Sequence, residues 1–313
     1  MRASGSTLEV VGEVPEGAKS QTVEIPGPLH FLEWPGPEER TFVVVHGLGG
    51  SAVSWMGVAG GLSAHGRVVA MDLPGFGRSP LRGRSPAIED NRRLLSRFLR
   101  EVGSGRIVLC GASMGSTISL LQAAFEPGSV DALVLSAPAL PYRITRPPSA
   151  LVVTAFSLYR VPRVGEFVVR QRLNRLSPEA QVDIAFRVMA GDHRRIPREL
   201  REATIEAVRE HVGDPDSVRA FTPAARSLVR LLGRRDRMRR AMDAIECPVL
   251  ILHGRRDRLV PPGYASAVVS EHPGWRLRIF PDLGHIPYIE APDRWLAAVE
   301  SFLEDFGLVS LDV

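Results

Sequence analysis

From Thr41 onward, short and nearly continuous apolar runs alternate with longer segments able to form helices, and no other feature narrows the possible folds so far. The runs are Thr41–Val45, Arg67–Met71, Arg106–Cys110, Ala132–Ser136, Pro248–Leu252 and Trp275–Phe280. Unbroken Val, Leu and Ile bounded by Gly or Pro predict strands covered on both faces, as in a parallel sheet with crossover helices. The expected class is α/β, with a mostly parallel central sheet and helices on both faces. Ahead of these runs, Leu8–Val11, Gln21–Ile25 and Leu29–Leu32 mix polar and apolar residues between turn signals, which predicts an antiparallel edge.

The alternation stops between about Leu140 and Asp243, where Val, Leu, Ala and Arg recur at helical spacing and prolines from Pro147 to Pro223 punctuate the stretch. The predicted organisation is an α/β core in two parts, 1–139 and 244–313, with a helical lid inserted at 140–243. Over Arg143–Arg240 the chain carries 21 arginines against 11 acidic residues, although its overall net charge is only +4. Such a surface can steer an anionic substrate or rest against an acidic membrane, and it is equally the solvated face of a helical segment that uses Arg in place of Lys. Hydrophobic residues at 44% and charged residues at 24% exclude a disordered chain, and two cysteines exclude a disulfide framework. The longest apolar run, Ala150–Tyr159, is far short of the roughly 20 residues that span a bilayer. Met1–Gly12 lacks the basic and then apolar pattern of a secretory signal, so the expected location is cytoplasmic.

Chemistry concentrates at the ends of the predicted strands. Arg106–Cys110 runs into Gly111-Ala-Ser-Met-Gly115 and then a segment able to form a helix, which is the strand-turn-helix setting of a G-x-S-x-G nucleophile elbow. Ser113 would sit in a strained turn, and Gly111 and Gly115 would leave room for the neighbouring backbone. A serine nucleophile needs a base, and the base needs a carboxylate to fix its tautomer. His285, beyond Trp275–Phe280, and Asp257, beyond Pro248–Leu252, stand where open parallel sheets collect their ligands. His46-Gly-Leu-Gly-Gly50 follows the first parallel strand, and the main-chain N–H groups of Leu48 and Met114 are the predicted oxyanion donors.

Taken together, these segments resemble the α/β-hydrolase family. The resemblance rests on the order Ser, Asp, His, on His46-Gly47, Asp72-Leu-Pro-Gly-Phe-Gly-Arg-Ser79, the elbow, Gly254-Arg-Arg-Asp257 and Gly284-His285, and it runs from about Leu29 to Leu303. It implies a serine hydrolase that cleaves carboxylic esters through an acyl-enzyme, acting on a small-molecule ester with an apolar acyl group. Dehalogenases and epoxide hydrolases of the family use Asp at the elbow, whereas this chain has Ser113. Carbon–carbon hydrolases often carry Trp after the catalytic His, where this chain has Ile286. Perhydrolases share the same triad, and a non-catalytic small-molecule sensor on this fold is an alternative of another class.

The remaining candidates read as structural. His46 shapes the oxyanion loop, His253 is a packed and hydrogen-bonded residue, and His193, His211 and His272 lie on the surface. Asp72 is a turn anchor for backbone N–H groups. Asp282 is the runner-up partner for His285. Cys110 and Cys247 fill the core on different strands. The run Ala150–Tyr159 lines either an acyl pocket or an ordinary packing surface, and the flanking Arg146 and Arg160 suit a carboxylate-bearing substrate or an interfacial lid. No zinc spacing, phosphate loop or nucleic-acid motif is present, so no metal, cofactor or nucleic acid is expected.

Overall fold

Eight extended segments pair into one sheet in the computed structural model, which describes residues 14–141, 153–154, 157–159, 161 and 163–309. They are β1 (Lys19–Glu24), β2 (Pro28–Trp34), β3 (Arg40–Val45), β4 (Arg67–Met71), β5 (Arg106–Ala112), β6 (Ala132–Ser136), β7 (Val249–Gly254) and β8 (Arg276–Phe280). Their spatial order is β1-β2-β4-β3-β5-β6-β7-β8. The β1·β2 and β2·β4 pairs are antiparallel, and every pair from β4 to β8 is parallel. The expected class and antiparallel edge are thus both present, while Leu8–Val11 lies outside the described residues.

Alternate residues of the parallel strands enter two separate cores. Val43, Val45, Leu109 and Leu133 face one side with helices α2 (Ile88–Val102) and α3 (Met114–Phe125). Phe42, Val44, Val108 and Val134 face the other with α1 (Met56–Ser63) and the C-terminal helix Pro292–Asp305. Burial on both faces is why these runs lack a polar alternation. Each fully buried Val, Leu or Phe contributes about 1.5–3 kcal/mol.

Between β6 and β7 the described residues hold helices and no strand: α4 (Val164–Arg175), α5 (Pro178–Met189), α6 (Arg198–Arg209), α7 (Pro215–Gly233) and α8 (Arg235–Asp243). The prolines explain several of the breaks. Pro178 and Pro215 begin α5 and α7, where a missing N–H costs nothing, and the preceding Ser177 and Asp214 side chains accept from the N–H groups of Ala180 and Asp216. Between β7 and β8 lies α9 (Gly263–Glu271), and after β8 come the short α10 (Pro287–Glu290) and α11 (Pro292–Asp305).

One buried carboxylate organises the turn after β4. Asp72 accepts from the N–H groups of Ala52 at 2.7 Å and Arg78 at 2.9 Å, and His30 Nδ1 lies 2.6 Å from its Oδ2. Burial pushes this carboxyl up, but the hydrogen bond and charge of His30, with His46 and the Ala52 N–H, outweigh it and hold Asp72 below the ordinary carboxylate range. The folded value is depressed, so its contribution is present above the unfolded carboxylate range and is lost as pH falls through the folded value. Asp72→Asn is expected to lower the unfolding free energy at pH 7 by about 3 kcal/mol and to flatten part of the acid-side decline. Urea titrations from pH 7 to pH 3 check both, and a variant as stable as the parent at pH 7 contradicts the assignment.

Candidate active site

The chain leaves β3 toward β4 on one side, and β5 takes the other side of β3, with Val45 opposite Gly111. The loops beyond these two strands therefore diverge and open a crevice at the carboxyl edge of the sheet. Ser113 stands in it, half-buried among fully buried neighbours, with φ 50° and ψ −109°. That backbone is strained by about 1–3 kcal/mol for a residue with a Cβ. Its N–H donates to the Ser136 carbonyl at 2.9 Å, and Ser116 Oγ donates to the Gly111 carbonyl at 2.7 Å, which pins both arms of the turn. A Cβ on Gly111 would lie 2.6 Å from the Gly115 and Ser116 backbone, and one on Gly115 would lie 2.2 Å from the Val45 carbonyl oxygen. Only glycine fits at either position.

The His46–Gly50 loop packs directly on the elbow: a Cβ on Gly47 would meet Ser113 Cβ at 3.4 Å. His46 itself is buried, with Nδ1 donating to the Gly47 carbonyl and Nε2 accepting from the Leu73 N–H. Desolvation pulls its pKa down, so it is a neutral brace for this loop. Neither the Leu48 nor the Met114 N–H donates to another group among the described residues. Met114 also begins α3, whose positive dipole end faces the crevice.

Asp257 and His285 meet across the ends of β7 and β8. His285 Nδ1 donates to Asp257 Oδ2 at 2.7 Å, which leaves Nε2 as the basic nitrogen. Asp257 Oδ2 also receives His253 Nε2 at 2.9 Å, and Oδ1 receives the N–H groups of Leu259 and Val260 at 2.8 and 2.9 Å. Burial raises this carboxyl, yet the charge of His285 and the bonds from both imidazoles hold it far below the usual range. Asp282, the other candidate, is turned outward onto Arg195 and Arg294. Ser113 Oγ has no hydrogen-bond partner among the described residues, so the structure joins Asp257 to His285 but does not join His285 to Ser113.

Two features escape sequence reasoning. Glu290, five residues past His285, is buried and accepts three main-chain N–H groups: Gly191 at 2.9 Å, Asp192 at 2.7 Å and Gly284 at 2.8 Å. In return the His285 N–H donates to the Met189 carbonyl at 2.6 Å, so the loop after α5 and the His285 loop are laced backbone to backbone. The second is His211, expected on the surface, which instead bonds the Gly77 carbonyl through Nε2 and the Ala207 carbonyl through Nδ1, tying α6 to the Asp72 turn. Both contacts run to backbone atoms and leave no pairing signature in sequence.

A cavity of about 490 Å³ lies between α6 and the Asp72 turn, but its wall includes Glu199, Glu202, Glu206 and Glu210, and Ser113 and His285 do not line it. Half of Ala150–Tyr159, with Arg146 and Arg160, lies outside the described residues; Tyr159 packs edge-on against Phe221 at 5.3 Å. Cys110 and Cys247 are free thiols, and burial pushes Cys247 up to about 11 and Cys110 higher still, which leaves both protonated.

Residues 36–292 match the family described as serine aminopeptidase, S33. The chain belongs to this family of α/β hydrolases. A pimeloyl-[acyl-carrier protein] methyl ester esterase of Nitrosomonas europaea is 27% identical over 270 residues, covering 85% of this chain and 95% of that protein. Its namesake from Aromatoleum aromaticum is 29% identical over 259 residues, covering 82% and 96%. Among solved structures, a putative lipase from Acinetobacter baumannii superposes with a TM-score of 0.73 at 20% identity over 92% of each chain. The haloalkane dehalogenase DatA from Agrobacterium tumefaciens reaches 0.77 at 19% identity over 93% and 97%, and these two likenesses concern the fold. With esterases among its relatives, the chain is a hydrolase. None of its described helices is long and apolar enough to cross a membrane.

Glu290→Ala strands three main-chain N–H donors, that of Gly284 buried and those of Gly191 and Asp192 partly so, and the expected loss is about 3 kcal/mol or more of unfolding free energy. Urea unfolding at pH 7 measures it; a loss under about 1 kcal/mol contradicts the role given to this carboxylate.

Proposed function

We propose that the chain hydrolyses carboxylic esters through an acyl-enzyme on Ser113. The observation that carries this reading is the pairing of His285 Nδ1 with a buried, fully bonded Asp257 at the carboxyl edge of the sheet, the same edge that carries a strained serine whose hydroxyl has no partner among the described residues. His285 Nε2 takes the Ser113 proton as Oγ attacks the ester carbonyl, and the carbonyl electrons move onto oxygen. The N–H groups of Leu48 and Met114 receive that oxyanion; losing one such donor costs about 2.7–4 kcal/mol in the transition state. On collapse the C–O bond to the alcohol breaks, and His285 returns the proton to the departing oxygen. Water, deprotonated by the same imidazole, then attacks the acyl group and releases the acid and Ser113. Nε2 closes on Oγ as substrate fills the crevice, since such bonds tighten in the substrate complex.

The helical segment 140–243 serves as a lid over the crevice. Phe221 supports this placement, since its ring lies 3.1 Å from where a Cβ on Gly49 would stand and so presses on the oxyanion loop. The apolar side chains of Phe221 and Leu48, both partly buried there, suit an uncharged acyl group, and the relatives named as methyl ester esterases of a carrier-bound acid favour a small alcohol as the leaving group. A small-molecule ester, with no metal and no cofactor, is the expected substrate, and the cytoplasm is the expected compartment.

Ser113→Ala is expected to reduce turnover of a short-chain p-nitrophenyl ester by at least about a thousandfold while the thermal midpoint stays within a few degrees of the parent. Turnover retained within about tenfold refutes the assignment.

A further inference from the structure

Hydrolysis as described uses one imidazole, yet Asp257 faces two. His253, wholly buried at the end of β7, places Nε2 2.9 Å from Asp257 Oδ2 and 3.0 Å from the Val260 carbonyl oxygen. Two acceptors flank that nitrogen, so it carries a proton. The other nitrogen, Nδ1, is buried with no partner among the described residues. An unpaired buried nitrogen is a standing cost that an apolar side chain of like size would not incur. Packing alone therefore does not account for a histidine here.

We propose that His253 is a positioning residue for the reaction: it holds the Asp257 carboxylate in the orientation that receives His285, and it takes up part of the negative charge that Oδ2 would otherwise offer to His285 alone. The inference rests on reading Asp257 and His285 as carboxylate and base. Other charged groups around them are already committed. Glu290 is taken by three N–H groups, Asp192 by Arg194, and Asp282 by Arg195 and Arg294. Arg255, Arg256 and Arg258 of the same loop are exposed, with Arg258 reaching the Arg187 carbonyl. The proton affinity of His285 thus follows what Asp257 holds. Taking one donor away from Oδ2 concentrates the carboxylate charge on the remaining imidazole, which keeps its proton to higher pH.

The test is an NMR titration of the His285 imidazole in the full chain, comparing the parent with His253→Leu, His253→Gln and His253→Asn. The glutamine amide nitrogen can stand where Nε2 stands, whereas the shorter asparagine cannot reach Asp257. His253→Leu is expected to move the His285 midpoint upward by about 0.5 or more. The same variant should lower kcat for a p-nitrophenyl ester about tenfold with KM within about twofold, while His253→Gln stays near the parent in both. An unchanged or lowered midpoint in folded His253→Leu overturns the proposal. Should the leucine variant fail to fold, the amide pair decides: a raised midpoint in asparagine alone supports it, and equal midpoints overturn it. The titration reads His285 whether or not any ester is cleaved, so a parent without turnover counts against the proposed activity and leaves this inference to be judged on the midpoint.

Discussion

Three buried carboxylates, each met by three or four N–H donors, hold together the loops at the carboxyl edge of the sheet. Asp72 gathers the Ala52 and Arg78 N–H groups with His30; Asp257 gathers Leu259, Val260 and two imidazoles; Glu290 gathers Gly191, Asp192 and Gly284. A buried negative charge is prohibitively costly unless every lone pair is met, and once they are met the same charge fixes the geometry of whatever meets it. Loops carry the chemistry in this fold, and loops are where main-chain donors go begging. Each carboxylate answers one loop's unpaired donors and sets its place relative to the next.

The elbow works by the opposite means. No charge holds Ser113; close approach of backbones does, through two glycines that admit no side chain and a serine forced to positive φ. The strain is borne because β5 is paired with both β3 and β6 from Val108 to Gly111 and α3 is buried on nearly all its residues. In the proposed reaction, a nucleophile held rigidly on the sheet and a base carried on charge-braced loops divide the task between packing and electrostatics. The arginine-rich helical segment meets this arrangement through the Met189–Asp192 backbone, so its attachment at that end is part of the His285 loop.

Much of this was legible in the sequence, for physical reasons that differ by element. Strands covered on both faces must be written in unbroken apolar residues, and β3 to β7 were. Their ends were less so: β5 continues to Ala112 and β7 to Gly254 because neighbouring strands continue to pair with them, which local pattern does not encode. The elbow could be read because strain and close approach force glycine and serine at fixed spacing. Asp257 could be read ahead of Asp282 from its place past a strand end, but what turns Asp282 outward, its ion pairs with Arg195 and Arg294, could not. Glu290 and His211 were invisible for a related reason, their partners being backbone atoms that every residue shares.

The central claim is that folding makes the Ser113 hydroxyl a nucleophile, and covalent labelling with a fluorophosphonate reads it directly. Mass mapping of the labelled, folded protein is expected to find one adduct, on Ser113, with none formed when the chain is first unfolded in urea. Label on another residue of the folded chain, or no label at all, would contradict the account.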